Sequence, residues 1–275
     1  MKNAAFSIEE LFRFLDAGVS AFHSTAAASA ILEAEGYVNC PESAAWELAP
    51  GGKYYTTRNG SAVLAWRMPK GELTGWHAAA SHSDSPTWRI KQFDTEDKVF
   101  AKAEVEGYGG MICSTWMDRP LSVAGRVLIK ENNAITSRLL TLDRDLLMIP
   151  SVAIHMDREV NDRASYNKQV DMLPLLGGAA EEGVLKKLIA AELQVAEDQI
   201  LGSDLFLCIR EKAAVWGCNE EFISSGRLDD QQCVFGILKG FLNAHCARSI
   251  NVAAFFDNEE VGSGTKQGAA STFLY

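Results

Sequence analysis

Residues 250–256, Ile-Asn-Val-Ala-Ala-Phe-Phe, form an apolar run that passes without a spacer into Asp257-Asn258-Glu259-Glu260 and then Gly262-Ser263-Gly264. A run this short and apolar, with β-branched and aromatic members, reads as a strand buried in an α/β sheet. Two adjacent glutamates at the end of such a strand repel one another and are costly to bury, and a cation removes that cost. On an extended backbone neighbouring side chains diverge, which suits the pair to two roles: one as metal ligand, the other as general base on a water molecule. The glycines that follow imply a tight turn. The plain alternative is a solvated acidic strand end.

Two other places have the same character. Residues 76–81 are a short apolar run read as a second buried strand, and His82-Ser83-Asp84 follows it directly. Ligand groups of open α/β sheets gather where strands end at their carboxyl edge. Residues i and i+2 of an extended segment face the same way, so His82 can ligate a metal while Asp84 orients or charge-balances its imidazole. A bare His-x-Asp also reads as a surface histidine beside a turn aspartate. Asp229-Asp230 stand just before an apolar-periodic helix over residues 231–247. Aspartate is a preferred N-cap there and suits the helix dipole. It can also bridge two cations about 3.5–4 Å apart, as co-catalytic sites require. Oxygen and imidazole donors at all three places suit a dinuclear zinc, cobalt or manganese hydrolase.

The rest of the chain supports an α/β frame with an insertion. Ser7 followed by Glu10 is a capping-box start for a first helix, and an alanine-rich helix over residues 21–35 ends at Gly36. Asn59-Gly60 between residues 53–58 and 61–67 is a strong hairpin signal. Residues 99–105, 111–116, 121–129 and 137–142 read as short strands, and residues 181–195 as a helix. The expected division is 1–88 with 216–275 as one α/β domain, and 89–215 as an inserted β-rich domain.

Composition excludes several classes. The 275 residues carry a formal net charge of −10, which repels phosphate backbones and argues against a nucleic-acid partner. No apolar run approaches the roughly 20 residues that span a bilayer, so no membrane association is expected. The amphipathic, acid-bearing N-terminus reads as a helix and no signal peptide is expected in it. Six cysteines, at 40, 113, 208, 218, 233 and 246, form no Cys-x-x-Cys pair and read as reduced, mostly buried thiols of a cytoplasmic protein. Residues 262–268 fit neither phosphate-binding glycine pattern, and no Gly-x-Ser-x-Gly elbow supports a serine hydrolase.

The motifs together resemble one family. Ala80-Ser81-His82-Ser83-Asp84-Ser85-Pro86, Ser225-Gly226-Arg227-Leu228-Asp229-Asp230 and Phe256-Asp257-Asn258-Glu259-Glu260-Val261-Gly262-Ser263 are similar, in order and spacing, to motifs of the aspartyl aminopeptidases. So are Gly52-Lys53-Tyr54-Tyr55, Tyr108-Gly109-Gly110 with Trp116-Met117-Asp118-Arg119-Pro120-Leu121, Ala124-Gly125-Arg126-Val127, and Ile149-Pro150 with Ala153-Ile154-His155. The resemblance implies a zinc-peptidase-type mixed sheet flanked by helices, with an inserted β-rich oligomerisation domain that builds dimers and larger tetrahedral assemblies. It also implies two Zn2+ per complete site, with Co2+ or Mn2+ as alternatives. His82 and Glu260 would bind zinc, Asp229 would bridge both ions, Glu259 would be the general base, and Asp84 would support His82. His155 resembles a histidine that reaches a neighbouring subunit's substrate site.

Mild departures are Ser83, Gly226 and Asp230, where the family often has Thr, Pro and Asn. The family completes its site with a further Asp and a C-terminal His. No His follows His245 and no Asp or Glu follows Glu260, so those ligands are expected to lie outside this sequence. The activity implied is removal of N-terminal, possibly acidic, residues from peptides. The alternative is a catalytically inactive assembly or binding module of the same family.

Overall fold

The computed structural model describes residues 7–95, 99–178, 183–245 and 247–274. By chain contacts it divides into two compact units, Met1–Ser85 with Lys212–Tyr275, and Pro86–Glu211. The first unit begins with α1 (Ile8–Ala17), α2 (Ala21–Ala34), β1 (Val38–Asn39), β2 (Lys53–Arg58), β3 (Ala62–Arg67) and β4 (Gly75–His82). The second holds β5 (Thr87–Thr95), β6 (Phe100–Tyr108), β7 (Leu121–Glu131), β8 (Ala134–Thr141), β9 (Leu175–Gly178), α3 (Val184–Leu193) and β10 (Ile200–Ile209). The chain then returns to the first unit with β11 (Ala214–Trp216), β12 (Phe222–Ser224), α4 (Leu228–Asn243) and β13 (Ser249–Phe256).

Local chemistry sets the helix starts of the first unit. The Ser7 hydroxyl accepts from the Glu10 amide while the Glu10 carboxylate accepts from the Ser7 amide, closing the capping box of α1. Ser20 caps α2 by accepting from the His23 amide, and Gly36 at φ +80° lets the chain leave the helix. Asn59 and Gly60 both take positive φ, as a tight hairpin between β2 and β3 requires. Five of its strands form a mixed sheet in the order β1-β2-β3-β13-β4, and β11 pairs with β12 apart from it.

The interior strand β13 is buried along nearly its whole length because it faces apolar layers on both sides. Ala253 and Phe255 point into the cluster where Phe14, Leu32, Val234, Phe235 and Leu238 bring in all three helices. Ile250 and Val252 pack with Tyr54 and Trp66 on the other face, and Ala254 and Phe256 pack there with Ala62 and Phe273. This two-sided burial is why the run lacks polar alternation. Truncating the fully buried Phe255 to alanine costs about 3–5 kcal/mol on the general scale for core phenylalanines.

The second unit is a six-stranded sheet in the order β8-β7-β10-β5-β6-β9, with every pairing antiparallel. Trp88, Leu121, Ile129, Leu140, Leu205 and the α3 residues Leu185 and Ile189 make its core. Gly125, in β7 at φ +153°, sits where a Cβ would stand 2.1 Å from the Asp204 carbonyl oxygen of β10, so glycine permits the two strands to meet.

Several expectations are corrected. The run at 76–81 is a strand but not a buried one: β4 is the edge of its sheet, and Trp76 to Ala80 are exposed. Apolar composition reports that a strand can be covered, not that it is. Residues 111–116 contain a 3-10 turn, Cys113–Trp116, instead of a strand, with Thr115 Oγ1 donating to the Ile112 carbonyl. The helix expected over 181–195 occupies Val184–Leu193, its first residues lying outside the described ones, as do residues 1–6 of the expected amphipathic N-terminus. The helix expected to reach 247 ends at Asn243, where Ala244 returns to extended backbone. The thiols are not mostly buried: Cys40 and Cys208 are, Cys113 is half-buried, Cys218 and Cys233 are exposed, and Cys246 lies outside the described residues. No helix among the described residues is long and apolar enough to cross a membrane.

Candidate metal centre

Two neighbouring strands deliver the first two motifs to one place. β13 and β4 run parallel, with Phe256 paired to His82, so both leave the sheet at the same carboxyl edge. His82 is the last residue of β4. Beyond Phe256 the chain does not stay extended. Asn258 takes a left-handed conformation, Glu259–Val261 form a 3-10 turn, and Gly262 at φ +97° closes it. Asn258 pins this turn: its Oδ1 accepts from Thr265 Oγ1 at 2.7 Å and Gln267 Nε2 at 2.8 Å. The two glutamates are therefore held on a turn, with a carboxylate oxygen of each within 4.8 Å of a His82 ring nitrogen and of the other.

The third motif arrives with α4. Asp229 and Asp230 are non-helical residues at its start, joined by a cis peptide bond, and the regular helix begins after them. Ser85 Oγ donates to the Asp229 carbonyl at 3.0 Å, and the His82 amide donates to Asp230 Oδ2 at 3.4 Å. His82 Nε2 lies 3.3 Å from Asp229 Oδ1, 3.8 Å from Asp230 Oδ2 and 3.9 Å from Glu259 Oε2. Asp229 is 85% exposed at its side chain and Asp230 18%. Of the two aspartates, Asp230 carries no metal role in the sequence reading. Its carboxylate instead faces His82 and the Cys233 thiol, and it joins His82 and Asp229 in one metal-capable group.

Asp84 lies beneath the cluster, with its side chain 3% exposed. Oδ1 accepts from the Glu259 amide and Oδ2 from the Glu260 amide, both at 3.2 Å. The same carboxylate stands 3.4 Å from His82 Nδ1, and the Asp84 carbonyl oxygen lies 3.1 Å from that nitrogen. One buried carboxylate thus links the imidazole to the turn that carries both glutamates.

The electrostatics favour positive charge at this point. Burial works against the His82 imidazolium, but Asp84, by hydrogen bond and charge, and then Asp230 outweigh it and raise the ring's pKa to about 9. Burial pushes Glu260 up; the His82 charge opposes this, and the charges of Asp84, Glu259 and Asp229 add to the rise. Buried Asp257 is pushed up to about 6 by desolvation against a hydrogen bond from Ser61, with the Asp84 charge adding to the rise. The thiol of Cys233 is raised to about 11, mainly by its hydrogen bond to Asp230. One imidazole among Asp229, Asp230, Glu259 and Glu260 is a donor set suited to zinc and similar divalent ions, and it stabilises positive charge even without one. His155 stands on an exposed turn of the second unit, outside this group.

The profile of the family described as aminopeptidase I zinc metalloprotease (M18) matches residues 14–275. The chain belongs to the M18 peptidase family. A probable M18 family aminopeptidase 2 of Clostridium novyi is 40% identical over 284 residues, covering 100% of this chain and 66% of the relative. An aspartyl aminopeptidase of Caenorhabditis elegans is 33% identical over 301 residues, covering 96% of this chain and 63% of the relative. The solved structure of Chaetomium thermophilum mApe1 superposes with a TM-score of 0.89 at 31% identity, covering 97% of this chain and 65% of that one. This M18 chain thus spans just under two thirds of the length of these relatives. The mixed sheet flanked by helices, with a second β-rich unit, is the M18 fold.

The three acidic motifs were legible as candidates in the sequence. Asp230's place beside His82 was not, nor were Ser24, Ser61 and Gln231, which lie buried around the cluster. Only Gln231 adjoins a ligand motif in the sequence; Ser24 and Ser61 lie far from one, and nothing local marks any of the three as buried.

Proposed function

We propose that this chain works in a metal-dependent aminopeptidase that removes N-terminal residues, acidic ones included, from peptides by attack of an activated water. The observation that carries this reading is the convergence of His82 with Asp229, Asp230, Glu259 and Glu260 at one sheet edge. The aminopeptidase names of its relatives support it. His82, Asp229 and Glu260 would hold the metal, with Asp229 as the ligand that two zinc ions would share in the complete site. Cobalt or manganese are the alternatives. Zinc held there would supply a Lewis acid that polarises the scissile carbonyl and acidifies water.

Glu259 accepts the proton of the attacking water and passes it to the leaving amine. Asp84 keeps His82 oriented and neutralises part of its charge. Residues 1–88 with 216–275 are the catalytic part. Residues 89–215 are the oligomerisation part, pairing copies into dimers and a tetrahedral assembly. Exposed Val152, Ile154 and Met156 on that unit are apolar surface of the kind association covers. His155 among them is proposed to contact substrate, and the cytoplasm is the proposed location. An inactive assembly module is the less favoured reading, because assembly alone does not require a preassembled ligand set.

The test is hydrolysis of Asp-, Glu- and Leu-anilides by the protein expressed from its native reading frame, with Zn2+, Co2+ or Mn2+. Turnover that requires metal and stops on chelation is expected. Metal uptake without any anilide or peptide cleavage overturns the aminopeptidase reading.

A further inference from the structure

Directly behind the metal-capable cluster lies a buried amide. Gln231 follows Asp230 and is 1% exposed. Its Nε2 donates to the Ser83 carbonyl at 2.5 Å, and its Oε1 accepts from Ser24 Oγ of α2 at 2.6 Å. Gly18 leaves the space that this side chain fills: a Cβ there would sit 2.9 Å from Gln231 Oε1. The Ser83 carbonyl it reaches lies between His82 and Asp84 in the chain. Ser83 in turn donates its amide to the Phe256 carbonyl at 2.7 Å, and its hydroxyl lies within hydrogen-bond distance of the Ser61 carbonyl, 2.7 Å, and the Phe256 carbonyl, 3.1 Å. The three segments that supply metal-capable side chains therefore meet in one buried polar junction. Asp230 is one residue from Gln231, His82 is one residue from Ser83, and Phe256 leads into Asp257 to Glu260.

A buried primary amide is costly unless its donor and acceptor are both used, and here each has a partner. Glutamine supplies a donor and an acceptor on one planar group, which an acid or an apolar residue of the same length does not. The start of a helix asks for no glutamine at this position. The particular need is the pair of groups it joins: the turn after β4 and the start of α4, which share no backbone hydrogen bond through Ser83.

We propose that Gln231 is a positioning residue of the metal centre, holding Asp229 and Asp230 in register with His82 through the Ser83 carbonyl. This rests on the metal reading above and goes beyond it, since Gln231 is not itself a ligand.

Three variants of the full chain test this: Gln231→Met, Gln231→Glu and Ser24→Ala. The first removes both bonds. The second keeps an acceptor for Ser24 but loses the donor to Ser83. The third leaves the Gln231–Ser83 bond in place. Co2+ affinity is measured by competition with a chromophoric chelator, the cobalt d–d absorption reports ligand geometry, and melting of the metal-free protein reports stability. Gln231→Met and Gln231→Glu are expected to weaken Co2+ binding about 10–100-fold and to change the d–d band. Ser24→Ala is expected to lower the melting temperature and leave both nearly unchanged.

If Gln231→Met does not fold, Gln231→Glu against Ser24→Ala decides. Variants that melt earlier but bind Co2+ with unchanged affinity and spectrum give Gln231 a purely structural role and overturn the proposal. If the parent itself takes up no Co2+, the metal reading fails and this inference with it.

Discussion

Asp84 Oδ1 accepts the backbone amide of Glu259 at 3.2 Å, so the end of β4 holds the turn after β13 by a charged hydrogen bond. Its other oxygen takes the Glu260 amide, and Oδ1 also stands 3.4 Å from His82 Nδ1. Asp84→Asn keeps the size but leaves one oxygen where two amides need acceptors. A loss of about 10–100-fold in Zn2+ or Co2+ affinity is expected. The stability cost is expected at about 1–3 kcal/mol. Calorimetric titration and denaturant melts of the metal-free protein measure the two, and unchanged metal affinity would remove Asp84 from the site.

Glu259 is the more exposed of the carboxylates held by that turn and the one proposed to move a proton. Glu259→Gln keeps the amide bond to Asp84 and the neighbouring ligands. It should retain metal by elemental analysis while anilide turnover drops about 10²–10⁴-fold at saturating substrate. Retained turnover would assign the base elsewhere.

The contact of β7 with β10 depends on Gly125. Alanine would put its Cβ 2.1 Å from the Asp204 carbonyl oxygen at a φ of +153° that side chains rarely adopt. Gly125→Ala should destabilise by about 3 kcal/mol, visible as a lowered denaturant midpoint. Wild-type stability in that variant would mean the strands can separate at this point without penalty.

His23 makes stability depend on acid. Burial lowers its pKa from the ordinary 6.5 to about 4, so the unfolded chain takes up this proton before the folded one does. Stability is therefore complete above pH 6.5 and declines as pH falls towards 4, by up to about 3 kcal/mol from this group. Subtracting the urea midpoints of His23→Gln from those of the parent between pH 7.5 and 4.5 isolates the effect from groups such as Asp257, which titrates in the same range with the opposite sign. Parallel curves for the two proteins would contradict it.

How much of this was legible in the sequence follows from the range of each interaction. The Ser7–Glu10 box, the Asn59-Gly60 turn and the apolar strand before Glu259 depend on neighbours in the chain, and each was readable. That His82 and Glu260 meet depends on β4 pairing in parallel with β13, a long-range choice that the motifs suggested but no local pattern encodes. Asp230 looked like a helix cap because its chain neighbours are helical; its actual partners come from β4 and the next helical turn. Gln231 and Ser24 were invisible, and Ser83 stood out only as part of its motif, because a buried polar network has the composition of a surface turn. The run in β4 stands exposed within residues 1–275, which was not legible for the converse reason that alanines and a tryptophan carry no mark of whether anything lies over them.

That edge has a practical consequence. β4 ends its sheet with Trp76 66% exposed and three exposed alanines beside it. Within residues 1–275, a row of backbone donors and acceptors with small apolar neighbours and no charged residue between Gly75 and His82 can pair with an extended segment that reaches it. Any extended segment that pairs at β4 would lie next to His82, the last residue of that strand.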